Sequence, residues 1–476
     1  MSYTSLALFI DGQWIDAEQR ETLNVYNPAT EQCIGHLPCA TQEDIENAIQ
    51  AAEQSAGLWR NTSALNRAEI LRKAASLLRE RSESIGRVIT LELGKPYGEA
   101  VREVITAAEM FEWGAEEARR LYGRIIPSRD MNITQMVTLE PVGPVAAFSG
   151  WNAPAITPSR KIAGALAAGC TVVIKPSEET PGVALEIVRA VNDAGLPKGV
   201  LNAVFGDPAK ISRQLIEAPE IKMVTFTGAT SIGQELAVMA APYLKHLTLE
   251  LGGHAPVLVF DDVDIAATAK LIASAKFRNS GQICTSPTRM YVHQKIYEKF
   301  VDAFTKEAKA IKVGNGLDEG VQMGPMANPR RYEAIKQLIG NAVENGAQIV
   351  AGGNGLEGPG WFIEPTVIRD FNNVCEAANT EPFGPLALIR PFNDFDEAIK
   401  EANRLPFGLA SYVFTNNLTV AKNASKLIQS GVVCVNHCQA SLPETPFGGV
   451  KNSGLGREGG IEGLQEFLSI KYISQL

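Results

Sequence analysis

Apolar residues recur at helical spacing along the N-terminal part of the chain. Thr41 and Asp44 have the spacing of a capping box, in which each side chain bonds the other residue's backbone amide. The apolar positions that follow at helical spacing are Ile45, Ala48, Ile49, Ala52 and Ala56. We predict a helix there, two more over residues 65–85 and 99–121, and a largely helical N-terminal part.

From residue 142 the pattern changes to short apolar runs that alternate with amphipathic stretches. The first four runs are "PVGPVAAF", "TVVIKP", "VLNAVFG" and "IKMVTFTG", with helices predicted at 159–168, at 182–195 and from about 234. A second alternation begins at "APVLVF", with helices at 265–276, 294–310 and 330–345 and strands near 289–293, 386–390, 410–415 and 432–436. Continuous apolar strands between helices indicate parallel sheets covered on both faces. We therefore predict two α/β domains, and the tail "EFLSIKYIS" is interpreted as an edge strand available for pairing between subunits.

Composition and charge narrow the class of protein. A chain of 476 residues is long enough for two or three domains. A net charge of −9 gives no general attraction to nucleic acid or to an anionic membrane, and no apolar run reaches the length of a membrane span. Seven cysteines, an odd number without framework spacing, favour a reduced, cytoplasmic protein.

Two strand ends carry residues suited to a nucleotide. Gly228 and Gly233 lie in "FTGATSIG", a glycine turn between a strand and a helix, where free amides and the helix dipole favour phosphate. Such a turn is also common in any α/β fold. Lys175 and Glu178 follow the strand "TVVIKP", where an acidic group can accept hydrogen bonds from a ribose diol and repel a 2′-phosphate. The alternative interpretation is a solvated charged loop.

A carboxylate and a thiol stand out in the second half of the chain. Glu250 ends an apolar strand before two glycines, where burial makes it a candidate general base. Cys284 follows the polar stretch "RNSGQI" and is a candidate nucleophile, although a buried structural cysteine is the common alternative. The cluster "CVNHC" at 434–438 matches no zinc spacing, so we predict no metal site.

Seven motifs in order identify a resemblance over nearly the whole chain. They are "FSGWNAP", "IKPSEETP", "FTGATSIG", "LELGGHAP", "FRNSGQIC", "EPFGP" and "PFGGVKNSGLGRE". In this order and spacing the chain resembles the NAD(P)-dependent aldehyde dehydrogenases. The resemblance implies a Rossmann-like NAD-binding domain (1–120 and 141–252), a catalytic domain (253–450) and a small β arm (121–140 and 451–476) that joins subunits into a homodimer or homotetramer.

The same resemblance assigns a role to individual residues. Cys284 matches the nucleophile, Glu250 the general base, and Asn152 the amide donor that forms the oxyanion hole with the Cys284 backbone N–H. The matches to cofactor contacts are Trp151, Lys175, Glu178, Gly228, Ser231, Gly233, Leu251, Glu381 and Phe383. Lys161 and Glu458 match polar groups behind the thiol. The implied reaction is thiolate attack on an aldehyde, hydride transfer to NAD in preference to NADP, and hydrolysis of a thioester.

Two arginines bear on the substrate. Arg160 follows Asn152 on a predicted helix and Arg278 precedes Cys284, so both chain segments lead to the thiol. Two guanidiniums meeting in one pocket bind a carboxylate bidentately, whereas two unrelated solvated arginines are the alternative. Both match substrate-carboxylate positions of succinate-semialdehyde dehydrogenases, and neighbouring stretches resemble 2-oxoglutarate-semialdehyde dehydrogenases. Leu442 stands where the succinate-semialdehyde dehydrogenases have a serine that helps to hold the substrate carboxylate.

Three functions follow in order of preference. The first is NAD-dependent oxidation of a short aldehyde with a distal carboxylate. The second is a dehydrogenase for aromatic or other bulky aldehydes. The third is a catalytically silent homologue, against which the intact Cys284, Glu250 and Asn152 argue.

Overall fold

The computed structural model describes residues 3–476, so the first two residues of the predicted cofactor domain lie outside it. The strands, in chain order, are β1 Leu8–Ile10, β2 Gln13–Ile15, β3 Thr22–Tyr26, β4 Cys33–Pro38, β5 Arg124–Ile126, β6 Thr134–Pro141, β7 Val145–Phe148, β8 Val172–Lys175, β9 Leu201–Ala203, β10 Met223–Thr227, β11 His246–Glu250, β12 Pro256–Val259, β13 Arg289–His293, β14 Gln348–Ala351, β15 Thr366–Arg369, β16 Leu386–Phe392, β17 Ala410–Phe414, β18 Val432–Val435, β19 Gly454–Leu455 and β20 Leu468–Gln475. The helices are α1 Gln42–Arg60, α2 Ala64–Glu80, α3 Ser82–Leu93, α4 Tyr97–Ala118, α5 Ile156–Ala168, α6 Pro181–Asp193, α7 Pro208–Glu217, α8 Thr230–Ala240, α9 Ile265–Phe277, α10 Tyr297–Lys309, α11 Pro329–Glu344, α12 Phe395–Asn403, α13 Leu418–Leu427 and α14 Gly460–Gln465.

The first sheet has the order β19-β11-β10-β7-β8-β9-β1-β2. Strands β7 to β11 are parallel, with helices α5 to α8 between them, and they carry apolar residues on both faces. From β7 the chain moves outward through β8 and β9, then returns to β10 on the other side of β7. The crevice between the ends of β7 and β10 is therefore the topological switch point, where open α/β sheets bind ligands.

The second sheet has the order β14-β15-β16-β13-β12-β17-β18 and is parallel except at β14. Residues 251–255 run directly from the end of β11 to the start of β12. The C-terminal edge of the first sheet consequently faces the N-terminal edge of the second. The predicted α/β class is confirmed.

A third, small sheet joins β20, β6 and β5. β20 pairs with β6 over eight residues, from Leu468 opposite Pro141 to Gln475 opposite Thr134. Residues 454–455, which we placed in the arm, form β19 and pair with β11 of the first sheet. The division of the chain into three parts stays a prediction.

Two expectations for the N-terminal part were wrong. Residues 8–38 form four short strands rather than helix. Strands of three to six residues contain too few alternating positions to show a period against the longer helical patterns. The helix expected at 65–85 is two helices that meet at Arg81, which ends α2 and begins α3. By contrast, the capping box of Thr41 and Asp44 is present at the start of α1.

Within residues 3–476, no helix combines the length and the apolar character required to cross a membrane.

Candidate active site

A cavity of about 800 Å³ lies where the two large sheets face each other. Most of the predicted site residues line it: Asn152, Trp151, Arg160, Lys175, Gly228, Glu250, Leu251, Arg278, Cys284, Glu381, Phe383 and Glu458. Four predicted residues, namely Lys161, Glu178, Ser231 and Gly233, are outside this lining. Residues as far apart in sequence as Trp151 and Glu458 thus meet at one cavity, because loops of both sheets lie around it.

Strand register explains how the thiol and the carboxylate meet. Thr227 of β10 pairs with Glu250 of β11, so Glu250 ends at the C-terminal edge of the first sheet. Pro256 of β12 pairs with Arg289 of β13, and Cys284 lies five residues before that pair (289 − 284) at the N-terminal edge of the second sheet. The two edges face each other, so both side chains enter the same cavity.

The backbone before Cys284 is held in an unusual conformation. Asn279, Ser280 and Gly281 have φ values of +48°, +56° and +70°, a left-handed run that only glycine adopts without strain. A Cβ on Gly281 would lie 2.1 Å from the carbonyl oxygen of Gly384, so this position requires glycine. The run re-aims the chain after α9, and the thiol reaches the cavity.

Asn152 is connected to this loop by hydrogen bonds. Its Nδ2 donates to the Gln282 carbonyl at 3.2 Å, and Asn279 Nδ2 donates to the Asn152 carbonyl at 2.9 Å. The amide of Asn152 has a second N–H that this contact leaves for another acceptor. Sequence spacing gave no indication that Asn279 joins the two segments.

Burial and charged neighbours together control the titration of the thiol. The pKa of Cys284 is raised to about 12, mainly by burial and also by the carboxylates of Glu381 and Glu250, whereas Arg160 acts to lower it. Burial also raises the pKa of Glu381 to about 7. A thiol with a raised pKa is a weaker nucleophile, and positive charge nearby favours its ionised, reactive form.

Glu250 is 3% exposed, and neither carboxylate oxygen has a hydrogen-bond partner among residues 3–476. Burial, together with the charge of Glu458, raises the pKa of Glu250 well above its usual value. A buried carboxyl without partners fits a group that binds and deprotonates a water molecule. Glu458 in turn forms a buried ion pair with Lys161, whose Nζ also donates to Thr225 Oγ1 at 3.0 Å.

The two arginines occupy different environments in the same cavity. Arg160 is 8% exposed, its Nη2 donates to Ser441 Oγ at 2.6 Å, and its Nε has no partner among the described residues. The guanidinium also lies 4.8 Å from the ring centre of Phe447. Arg278 has a side chain that is 61% exposed and pairs with Glu99, Nε to Oε1, at 3.4 Å. Ser441, which sequence analysis missed, supplies a hydroxyl next to Leu442.

The remaining part of the cavity fits a dinucleotide. Helix α8 begins at Thr230 without any side-chain cap, so its first amides remain available for phosphate beside Gly228. Gly233 has a different role: a Cβ there would lie 2.3 Å from Leu251, so it permits helix and strand to pack closely. Ser231 is exposed on the first turn of α8.

Two further groups flank this region. Lys175 lines the cavity and forms an ion pair with Glu178. Trp151 meets Phe383 edge to face, with ring centres 5.4 Å apart, and Glu381 accepts a hydrogen bond from Gly253 N–H at 3.1 Å. These residues would hold the NAD(P) cofactor, which supplies the acceptor for a hydride.

No group of three or more His, Cys, Asp or Glu side chains in residues 3–476 is arranged to hold a metal ion.

Comparison with known proteins identifies the class. The profile of the aldehyde dehydrogenase family matches residues 14–473. The chain belongs to this family, and it is an enzyme of the NAD(P)-dependent aldehyde dehydrogenase class.

Individual relatives cover almost the full length. A 4-(hydroxymethyl)benzenesulfonate dehydrogenase of Comamonas testosteroni is 43% identical over 99% of this chain and 98% of its own. A succinate semialdehyde dehydrogenase of Acinetobacter baylyi is 40% identical over 97% of this chain and 96% of its own. The solved structure of an NADP-dependent enzyme of E. coli superposes with a TM-score of 0.97 at 37% identity, covering 99% of this chain and 98% of that one.

Proposed function

We propose that this enzyme oxidises an aldehyde carrying a distal anionic group to the carboxylic acid, through a thioester on Cys284 and with NAD as the preferred cofactor. The observation that carries the proposal is the buried Arg160 in the same cavity as Cys284, whose Nε has no hydrogen-bond partner among residues 3–476. A buried cation costs free energy unless an anion pairs with it, so this guanidinium favours a negatively charged ligand.

The residues divide the chemistry among them. The Cys284 thiolate attacks the aldehyde carbon, and the resulting oxyanion accepts hydrogen bonds from the Asn152 amide and the Cys284 backbone N–H. That carbon then loses a hydride, for which bound NAD would supply the acceptor, and the thioester remains. Glu250 takes a proton from water, and the hydroxide attacks the thioester carbon, releasing the acid and the thiolate.

The anionic group is a carboxylate in the favoured proposal. Succinate semialdehyde has a short chain that ends in a carboxylate, and a relative is named for that substrate. Oxidation of 2-oxoglutarate semialdehyde stays a prediction. Ser441 and Arg160 together offer a hydroxyl and a guanidinium to two carboxylate oxygens.

Aromatic aldehydes are the second candidate. The Comamonas relative is named for a benzene ring that bears a sulfonate, which is also anionic. Phe447 beside Arg160 gives the cavity an aromatic wall against which a ring can stack. Both candidate substrates carry an anionic group at a distance from the aldehyde carbon. They differ in the part that joins the two groups, which is a short chain in one and a benzene ring in the other.

A panel of aldehydes tests these proposals through NADH production. The anionic members are succinate semialdehyde, 2-oxoglutarate semialdehyde and 4-formylbenzenesulfonate, and the matched neutral members are butanal and benzaldehyde. A higher kcat/KM for anionic members supports the proposal. Equal values for 4-formylbenzenesulfonate and benzaldehyde favour recognition of the ring alone, and activity only on neutral aldehydes contradicts the role of Arg160.

The preference for NAD rests on Glu178. Its carboxylate is placed by the ion pair with Lys175 and would repel a 2′-phosphate. The E. coli relative uses NADP, so the family accommodates both cofactors. Comparison of kcat/KM for the two cofactors decides the preference.

The small sheet is proposed as the oligomerisation arm of a homodimer or homotetramer. The outer edge of β20 has no partner strand in the described chain, and its Ile470 is 76% exposed. An open strand edge with exposed apolar side chains pairs readily with another strand. Light scattering of the wild type and of Ile470→Lys measures the oligomeric state, and an unchanged mass in the variant argues against the arm.

A further inference from the structure

A buried ion pair lies beside the turn that carries Asn152. Lys95 and Glu103 have side chains that are 5% and 4% exposed, and they contact each other directly. Lys95 stands between α3 and α4, and Glu103 is in α4. Both residues line the cavity, although neither was expected from the sequence to take part in the site.

Each member of the pair makes one contact with residues 152–155. Lys95 Nζ donates to the Asn152 carbonyl at 3.3 Å. Glu103 Oε1 accepts a hydrogen bond from the Ala155 backbone N–H at 2.9 Å. The pair therefore spans the turn, holding it by a carbonyl at one end and an amide at the other.

Lys95 itself is fixed at its backbone. A Cβ on Gly316 would lie 2.6 Å from the Lys95 carbonyl oxygen, and one on Gly324 would lie 1.9 Å from the carbonyl oxygen of Gly94. These approaches position Lys95 against the loop that contains Gly316 and Gly324. The Tyr97 N–H also donates to the Gly316 carbonyl, at 2.9 Å. The pair thus connects the Asn152 turn to the loop that contains Gly316 and Gly324.

Buried ion pairs contribute little net stability, because desolvation of both charges offsets their attraction. Apart from the ion pair, the hydrogen bonds of these two side chains within residues 3–476 all fall on one turn of the active site, which is better explained by placement of that turn. Misplacement of a catalytic group by about 1 Å can cost about 10²-fold in rate.

We propose that Lys95 and Glu103 are positioning residues that hold the Asn152 amide where it donates to the oxygen of the bound aldehyde. This inference rests on the proposed role of Asn152 in the oxyanion hole. Asn279 donates to the same carbonyl from the Cys284 loop, so Asn152 is held by two separate segments of the chain.

The test uses the double variant Lys95→Met/Glu103→Gln in the full-length enzyme. Removing both charges avoids a single buried unpaired charge, and the glutamine oxygen can still accept from Ala155 N–H. We expect kcat to fall about 10- to 100-fold, with KM for the aldehyde and Kd for NAD changed less than about threefold. The control Arg20→Met/Asp44→Asn removes another ion pair, at the start of α1, and should leave kcat unchanged.

A double-mutant cycle with Asn152→Ala separates positioning from general damage. If the pair acts through Asn152, its removal in the Asn152→Ala background costs less than about threefold in kcat. An equal loss in both backgrounds, or a folded Lys95→Met/Glu103→Gln enzyme with nearly wild-type kcat, would overturn the inference. Normal activity of Asn152→Ala would overturn it as well.

Two measurements cover the remaining outcomes. If the double variant does not fold, Lys95→Arg keeps the charge but moves the donor, and kcat should fall at least about fivefold; an unchanged kcat contradicts the inference. If the wild type oxidises no aldehyde, the proposed function fails, and hydrogen exchange then tests the pair by itself. The Ala155 amide should lose protection in the double variant, and unchanged protection would contradict the clamp.

Discussion

Replacement of Arg160 by methionine should reduce discrimination between charged and neutral aldehydes much more than the same change at Arg278. Methionine retains an apolar stem and removes only the guanidinium. Arg160 is buried and its Nε has no partner in the part of the chain that the structure describes, whereas Arg278 is mostly exposed and already paired with Glu99. The quantity to compare is the ratio of kcat/KM for succinate semialdehyde to kcat/KM for butanal.

The ratio is required because Arg160 has two effects. It acts to lower the pKa of the Cys284 thiol, so its loss slows the oxidation of every aldehyde. Division by the value for the neutral aldehyde removes that shared effect and leaves recognition of the carboxylate.

The magnitudes follow from the two environments. A charge-assisted hydrogen bond in a buried site contributes about 1.5–3 kcal/mol, so the ratio should fall about 10- to 150-fold in Arg160→Met. An exposed ion contributes about 0–1 kcal/mol, so Arg278→Met should change the ratio less than about fivefold. At about 1 M salt the Debye length is about 3 Å, and the smaller effect of Arg278 should nearly disappear.

The assay is steady-state NADH formation with both aldehydes at low and high salt. Arg72→Met, which changes a half-buried arginine of α2 outside the cavity, serves as the control. A parallel loss with both aldehydes would show that Arg160 is structural. A larger change in the ratio for Arg278 than for Arg160 would refute the reasoning from burial.

Three further predictions follow from the site. Glu250→Gln should give a burst of NADH and then a slow phase, because hydrolysis of the thioester needs a base; rapid mixing that shows slow acylation without a burst contradicts this. Glu178→Ser should raise kcat/KM for NADP relative to NAD by about tenfold or more, since a repelling carboxylate is removed; an unchanged ratio means that Glu178 does not face the 2′ position. Glu381→Gln should speed alkylation of Cys284 by iodoacetamide several-fold above pH 7, because ionised Glu381 raises the pKa of the thiol, and the effect should vanish below the Glu381 pKa of about 7. Glu333→Gln, which removes an exposed charge, is the control, and equal rates in all three proteins would reject the electrostatic account.

The sequence by itself determined the class of fold and the chemical groups. Apolar runs such as "TVVIKP" and "APVLVF" are β8 and β12, because a strand covered on both faces must be apolar at every position. The capping box of Thr41 and Asp44 lies at the start of α1 as predicted, since a capping box depends only on two residues three positions apart. The motifs around Cys284 and Glu250 likewise carried the family, which the comparisons then showed.

The tertiary structure decided how those groups act on one another. Lys95 and Asn152 are 57 residues apart, and Arg160 and Ser441 are 281 residues apart, so no local pattern relates them. The unequal burial of Arg160 and Arg278 also depends on the packing of several segments around the cavity. Periodicity and motifs depend on residues that are close in sequence, so they predict local structure and chemical groups. The burial of a side chain, its pKa and its distance from other groups depend on residues that only folding brings near.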